Sequence, residues 1–193
     1  MIRLGKPTNE LQRRFLDEQA ARPYSYDAVG ATASQPPAGY VVDHNRACLG
    51  AGEQQFAAAK AALRQWRQFQ LGWVEPWPLD VRLVPGECVA IIAHLGPVYW
   101  LNACRLVYAV DERGPVERFG FAYGTLPDHA ERGEERFVVE WNRADDQVWF
   151  DILAFSRPNH SLSWLGYPVV RRLQKRFARE ALAAMQRAVE MFD

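Results

Sequence analysis

A strand-like segment from Glu134 to Asn142 places an acidic residue among large apolar ones. Side chains of a strand alternate between its two faces, so Glu135 shares a face with Phe137 and Trp141. A carboxyl group in such surroundings must be paired or have a raised pKa, because burial disfavours its charged form. Glu135, with Glu134 beside it, is therefore a candidate for acid–base chemistry or for orienting a ligand.

The preceding strand-like segment, Val116 to Thr125, carries aromatic rings. The same alternation puts Phe119, Phe121 and Tyr123 on one face, which we expect to point inward. Two interpretations are open: the rings pack a core, or they form the wall of a ligand pocket, where an apolar body with a polar tip is useful.

Two arginines could bring positive charge to the same interior. Arg105 has apolar second neighbours on both sides, which predicts an inward side chain that pairs with Glu135 or Asp151, or that anchors a ligand. Arg157 follows the last strand-like segment, where it would bind an anionic ligand group or satisfy turn carbonyls.

His129 ends the turn that begins at Leu126, shortly before Glu134 and Glu135. An imidazole at that position could act as an acid or base beside the carboxyl groups at a pocket mouth. The alternative is a histidine in a surface turn with no chemical role.

Familiar cofactor and metal motifs are missing from the sequence. Gly50 and Gly52 precede a predicted helix, but Gln55 stands where the dinucleotide fingerprint has its third glycine. The sequence contains no phosphate-binding loop, no G-x-S-x-G turn and no His/Cys/Asp cluster with metal-ligand spacing. We therefore expect neither a cofactor nor a metal.

Composition narrows the class of protein further. Lys+Arg and Asp+Glu each number 23, so no net charge favours nucleic acid as a partner. The three cysteines have no C-x-x-C spacing, which fits a reducing compartment. The longest apolar run, Cys88 to Ala93, is far shorter than the roughly 18 residues of a membrane span. We expect a cytoplasmic protein with a single domain over 1–193.

The residues form an ordered series of predicted elements. A short helix capped at Asn9 ends before Pro23, irregular chain completes an N-terminal segment up to Tyr40, and a weak strand follows to His44. Apolar residues at three-four spacing predict a long helix from Gly52 to Leu71. Six β-rich segments separated by short turns come next: Val74 to Leu83, Glu87 to Leu95, Tyr99 to Val110, Val116 to Thr125, Glu134 to Asn142 and Gln147 to Ser156.

The last predicted element is an amphipathic helix from Pro168 to about Met191. Its apolar stripe needs a partner, so the fold class is α+β, with a curved antiparallel sheet of about six strands packed on this helix in a helix-grip arrangement. The basic residues from Arg171 to Arg179 suit a solvated helix face, or a surface for phosphate or anionic lipid.

Several segments together resemble one family. They are the stretch from Gly120 to Pro127, His129, Gly133 to Phe137, Phe155 to Pro158, Val29 to Thr32, Leu49 to Glu53, the Trp66 to Trp73 region, and Gln174 with Phe177. In these segments the chain resembles the DUF1990 family, proteins of unknown function, over nearly its whole length.

The family resemblance implies no activity and no catalytic residues. The predicted layout is also similar, more loosely, to the START and Bet v 1-like superfamily, whose members hold lipids, sterols, polyketides or plant hormones between a curved sheet and a long C-terminal helix. Those folds usually have two short helices after the first strand, whereas this sequence predicts one long helix and an extra N-terminal segment.

Three functional hypotheses follow. The leading one is a binding module for a small, largely apolar or amphipathic ligand, with a wall of rings (Phe119, Phe121, Tyr123, Phe137, Trp141) and orienting groups (Arg105, Glu135, Arg157). The second is a hydrolase or cyclase in which Glu135 or Glu134 acts as base and Tyr123 or His129 as acid. The third is a structural or protein-interaction domain with an exposed apolar patch and no cavity. Homo-oligomerisation stays open.

Overall fold

The fold, given by a computed structural model that describes residues 1–159 and 167–190, is built around one large antiparallel sheet. Its strands are β1 (Ile2–Leu4), β2 (Val41–Ala51), β3 (Val74–Trp77), β4 (Cys88–Leu95), β5 (Val98–Glu112), β6 (Val116–Thr125), β7 (Glu131–Asn142) and β8 (Gln147–Pro158). The order across the sheet is β2-β8-β7-β6-β5-β4-β3, and β1 pairs with the start of β5.

Consecutive strands from β3 to β8 pair as antiparallel neighbours, and short turns join those from β4 to β8. Strand β2 closes the series by pairing with β8 along its whole length. The predicted strand from Val74 to Leu83 ends early, at Trp77, where Pro78 has no N–H to donate to the ladder.

One face of the sheet, here called the inner face, is covered by α2 (Glu53–Arg64) and α3 (Tyr167–Glu190). The single helix predicted from Gly52 to Leu71 was wrong beyond Arg64. Trp66 adopts a left-handed φ of 55°, and a 3-10 turn follows at Arg67–Phe69. This break lets two rings, of Trp66 and Phe69, turn into the core together.

Helix α3 runs along the inner face as predicted, although the predicted end at Met191 lies outside the described residues. Its buried residues all lie at or after Ala178: Ala178, Ala181, Ala184, Met185, Ala188 and Val189. Residues 167–177 of the helix are half-buried or exposed. The first half of α3 is therefore packed less completely against the sheet than the second.

The opposite side, here called the outer face, is covered by the N-terminal segment. Helix α1 (Asn9–Ala20) begins one residue earlier than the predicted cap, because the side chain of Thr8 accepts the N–H of Leu11. Phe15 and Leu16 of this helix pack on β4 and β5 in a second, smaller core.

The predicted fold class is confirmed: a curved antiparallel sheet, a long C-terminal helix and two shorter helices. The described chain has eight strands rather than about six. The additional strands are the three-residue β1 and the long β2, of which only the first residues gave a strand signal.

Candidate functional site

The inner face has an aromatic part around Phe121 and Phe137 and a polar part around Glu131 and Glu135. Phe121 and Phe137 of the aromatic part have no exposed surface, neither to bulk water nor to a void that could hold a water molecule. The Trp66 ring lies 4.7 Å from Phe121, and the Phe69 ring lies 5.5 Å from Phe137, measured between centroids. The expectation that these two rings line a ligand pocket is corrected: α2 and the 3-10 turn fill that space.

Two further rings lie at the edge of the same core. Phe119 is covered by the guanidinium of Arg64, 4.2 Å from its centroid, and Trp141 donates its indole N–H to Asp146 at 2.8 Å. Both rings are buried. Of the five predicted wall residues, Tyr123 alone contacts a charged group on the polar part of the face.

Tyr123 and Glu135 lie directly opposite each other on β6 and β7, and the Tyr123 ring shares two neighbours, Phe69 and Phe137, with Phe177 of α3. The Tyr123 hydroxyl donates to Glu135 Oε2 at 2.6 Å. Burial raises the pKa of Glu135 to about 7, the Tyr123 hydrogen bond opposes this rise, and repulsion from Glu131 and Asp43 adds to it. Glu135 is therefore poised to exchange a proton near neutral pH.

Glu131 lies on the same strand, nearer the end of the sheet, and is 7% exposed. The side-chain amide of Gln174, on α3, donates to Glu131 Oε2 and also to Ser156 Oγ, the latter at 3.1 Å. The other oxygen, Glu131 Oε1, is buried and has no hydrogen-bond partner among the described residues. Burial raises the pKa of Glu131 as well.

Arg171 supplies the positive charge of this region. Its guanidinium binds the Asp43 carboxylate with both terminal nitrogens, Nη2 to Oδ1 at 2.7 Å, and also donates to Gln174 Oε1 at 2.6 Å. The pairing with Asp43 raises the pKa of Arg171. Arg171, predicted as part of a basic helix face, thus binds the sheet.

We call these six residues the inner polar end: Asp43, Tyr123, Glu131, Glu135, Arg171 and Gln174. Four of them, all except Tyr123 and Glu135, were absent from the predicted site. A signal existed for two: Glu131 precedes Glu135 by four residues on one strand face, and Gln174 precedes Phe177 by three on one helix face. No local pattern joins Asp43 to Arg171.

The predicted inward position of Arg105 was wrong. Its Nη2 atom donates to the carbonyls of Ala20 and Arg22 at 2.7 Å each, and its guanidinium lies 5.2 Å from the Tyr24 ring. Arg105 pairs across the sheet with Gly124 on the outer face, so it does not meet Glu135, and the Asp151 carboxylate binds Arg136 and His44 instead. The cause is that the apolar neighbour Ala103 belongs to the outer core beneath α1, which is also apolar.

Arg157 also lies on the outer face, with its guanidinium 4.4 Å from the Tyr40 ring. Glu134, next to Glu135, points to that face too. It accepts hydrogen bonds from the Tyr26 hydroxyl at 2.6 Å, from Gly30 N–H at 2.7 Å, and from both the N–H and the hydroxyl of Thr32. Glu134 is a structural anchor for the N-terminal segment rather than a base.

The side chain of His129 binds the backbone two residues further along the chain. Its Nδ1 atom accepts the backbone N–H of Glu131 at 3.0 Å, and burial lowers the pKa of the imidazole to about 4. The predicted role of His129 as an acid is corrected, because a neutral imidazole at physiological pH has no extra proton to give.

Two surface pockets are formed by described residues, and both lie away from the inner polar end. One is an open cleft of about 510 Å³ between α1 and the chain around Trp77 and Pro78, and the other, of about 140 Å³, lies between Arg67 and Arg187. Within the described ranges no cluster of three His, Cys, Asp or Glu residues could hold a metal, and no described helix is long and apolar enough to cross a bilayer.

Comparisons with known proteins agree with the resemblance drawn from the sequence. The profile of a family described as "Domain of unknown function (DUF1990)" matches residues 25–184. A UPF0548 protein of Dictyostelium discoideum is 33% identical over 208 aligned positions, which cover 98% of this chain and 96% of the relative.

A solved structure with a TM-score of 0.50 shows likeness of the fold. A hypothetical protein from Helicobacter pylori has a TM-score of 0.50 at 10% identity, with 76% of this chain and 85% of the other covered. Human STARD10 has a TM-score of 0.45 at 13% identity, with 95% and 80% covered.

Proposed function

The chain belongs to the DUF1990 family, and we propose that it binds a small, largely apolar ligand between the inner polar end and the first half of α3. The ligand's polar group would meet Tyr123 and Glu135. Its apolar body would lie along the helix.

One observation carries this proposal: a hydrogen-bonded pair of ionisable groups, Tyr123 and Glu135, lies beside the rings that contact Phe177, in the part of α3 (167–177) whose residues are half-buried or exposed. Burying a carboxyl group without a counter-charge destabilises a fold, so its presence in an interior favours a role other than packing. The group lies at the end of an otherwise apolar core, which is the arrangement that ligand sites commonly use.

The apolar part of the proposed site comes from both layers. Phe177 contacts the rings of Phe69 and Phe137 but stays partly exposed, and Leu173 lies one helical turn before it on the same face. Ile152, buried on β8, belongs to the same core. These side chains can accept an alkyl chain or ring with a small movement of the helix start.

A dye titration tests the proposal. The neutral apolar dye N-phenyl-1-naphthylamine should bind the full chain saturably, with one dye per chain and increased fluorescence. Leu173→Trp, which fills the proposed space, should weaken dye binding at least about tenfold, because the indole would occupy the volume that the dye needs. Val169→Trp is the matched control, since Val169 is 53% exposed on the same helix.

The control variant should bind the dye as the wild type does. Absence of saturable binding to the wild type, or equal binding by the Leu173→Trp and wild-type chains, would reject the proposed site. Native mass spectrometry of protein purified from its own host provides a second measurement, in which a retained small molecule of defined mass supports binding.

A second candidate, an enzyme that uses acid–base catalysis, is favoured by one observation: the pKa of Glu135, at about 7, suits proton transfer. Tyr123 would then position the carboxyl group. Glu135→Gln separates the two candidates on the ligand identified by mass spectrometry: conversion of that compound by the wild type and its loss in this variant would indicate catalysis, whereas binding without conversion would indicate a binding module.

A further inference from the structure

The inner polar end contains more negative than positive charge. It holds three carboxyl groups, those of Asp43, Glu131 and Glu135, and one guanidinium, that of Arg171. Arg171 is already bound through both terminal nitrogens to Asp43. The charge of Arg171 also favours the ionised form of Glu131, but neither glutamate forms an ion pair with a described residue.

Glu131 shows the consequence at the level of single atoms. Its side chain is 7% exposed, Oε2 receives a hydrogen bond from Gln174, and the nearby Ser156 hydroxyl also favours the charged form. Oε1 is buried without a partner among the described residues. A buried acceptor left without a donor costs roughly 1–3 kcal/mol, and more when it is charged, so this atom is rarely left empty without a reason.

We propose that the inner polar end selects ligands whose polar group is an ammonium, with Glu131 Oε1 and Glu135 as its acceptors and an apolar body along α3. This inference rests on the proposed function and names the ligand class for the same site. An ammonium supplies up to three N–H donors and one positive charge, both of which the site lacks.

Other polar groups fit the site less well. A carboxylate or phosphate would add a negative charge beside the two glutamates, which like-charge repulsion disfavours. A hydroxyl could donate to Oε1 but would leave the charge of an ionised glutamate uncompensated. The expected order of affinity for one apolar tail is therefore ammonium, then hydroxyl, then carboxylate.

The expected pH dependence follows from the charged or titratable groups of the described residues that face the site. These groups are Asp43 on β2, Cys104 on β5, Tyr123 on β6, Glu131 and Glu135 on β7, and Tyr167 and Arg171 on α3. Burial raises the pKa values of Cys104 and Tyr123, so both stay neutral near pH 7. Glu135 changes charge near pH 7, because burial raises its pKa to about 7, and burial raises the pKa of Glu131 in the same direction.

Displacement of the dye by three octyl compounds tests the inference. Octylamine, octan-1-ol and octanoate share one tail and differ in the polar group, and at pH 8 the amine is protonated, because alkylammonium groups lose their proton near the lysine pKa of about 10.4. Octylamine should displace the dye at least about tenfold more effectively than octanoate. Its affinity should rise about tenfold from pH 6 to pH 8, since the carboxyl group with a pKa of about 7 must ionise to bind a cation.

Two isosteric variants connect the preference to named residues. Glu131→Gln and Glu135→Gln should each reduce the preference for octylamine over octanoate at least about fivefold, whereas Glu112→Gln, which removes the same charge from an exposed side chain on β5, should leave it unchanged. Equal displacement by octylamine and octanoate, or a preference that survives both variants, would overturn the inference.

The outcomes for the two proposals are distinguishable. If the dye binds and all three octyl compounds displace it equally, the site binds apolar ligands without selecting an ammonium, so the proposed function stands and the inference fails. If the dye does not bind the wild type, the proposed function fails and the inference fails with it.

Discussion

Glu134 and Glu135 are adjacent residues of β7 with the same side chain, yet their carboxyl groups differ in the number of hydrogen bonds that they receive on the two faces of the sheet. On the outer face, Glu134 receives four hydrogen bonds from the N-terminal segment. On the inner face, Glu135 receives one, from Tyr123, and burial raises its pKa to about 7.

The difference shows how backbone donors change the role of a buried carboxyl group. Gly30 and Thr32 offer main-chain N–H groups at the start of a 3-10 turn, and Gly124 leaves room for the Tyr26 hydroxyl because any side chain there would collide with it. A carboxylate so fully paired stabilises the fold. The inner glutamate lacks these donors, so it keeps capacity for a ligand or a proton.

The largest expected effect comes from breaking the outer anchor. Glu134→Gln keeps the shape of the side chain but replaces one acceptor oxygen with an NH₂ group, which then faces two donors. We expect a loss of about 3 kcal/mol in the free energy of unfolding, measured by urea denaturation.

Glu140→Gln is the matched control on the same strand and face. Glu140 pairs with Arg46 and Arg118 nearer the surface, so its loss should cost less than about 1 kcal/mol. Equal costs for the two variants would contradict the view that Glu134 anchors the N-terminal segment.

On the inner face, Glu135→Gln is expected to change the free energy of unfolding by a smaller amount and in the opposite direction. The Glu135 pKa is raised from 4.5 to about 7 in the folded chain, so between these values the native state binds more protons than the unfolded state. Stability from this group is therefore lost as the pH rises through that window. Glu135→Gln should be about 2 kcal/mol more stable than the wild type at pH 8 and about equal to it at pH 4.

Urea unfolding of both chains at the two pH values measures this difference. Glu112→Gln should show no comparable gain at pH 8. A Glu135→Gln variant that is less stable than the wild type at pH 8 would mean that Glu135 is paired as well as Glu134 is.

The smallest expected effect concerns the hydrogen bond inside the inner pair. Because the Tyr123 hydroxyl favours the ionised form of Glu135, Tyr123→Phe should move the pKa of Glu135 further above 7, by about one pH unit. The carboxyl ¹³C resonance of Glu135, followed through a pH titration by NMR, measures the change. An unchanged or lowered pKa would show that the hydroxyl does not stabilise the charge.

Much of the fold follows from local patterns in the sequence. The alternation from Val116 to Thr125 predicted β6 with its observed ends, and the apolar stripe after Pro168 predicted α3. The helix expected to reach Leu71 stops at Arg64 instead, because burying Trp66 and Phe69 outweighs the helical propensity of the segment.

The candidate site was predicted only in part. Alternation placed Tyr123 and Glu135 on one inward face, which the structure shows. It misplaced Arg105, because both faces of this sheet are covered and an apolar flank does not distinguish them. Strict alternation also fails at a register shift between Leu106 and Tyr108, which turns the Tyr108 hydroxyl toward Thr32 on the outer face.

The sequence by itself determined which segments are strands or helices, and which side chains share a face, because these properties depend on neighbours a few residues apart. Only the tertiary structure decided which face meets which layer, and therefore that Glu134 is anchored while Glu135 and Glu131 stay underpaired. The physical reason is that hydrogen-bond partners such as Thr32 and Gln174 come from distant parts of the chain, and their donors decide whether a buried carboxyl group is satisfied.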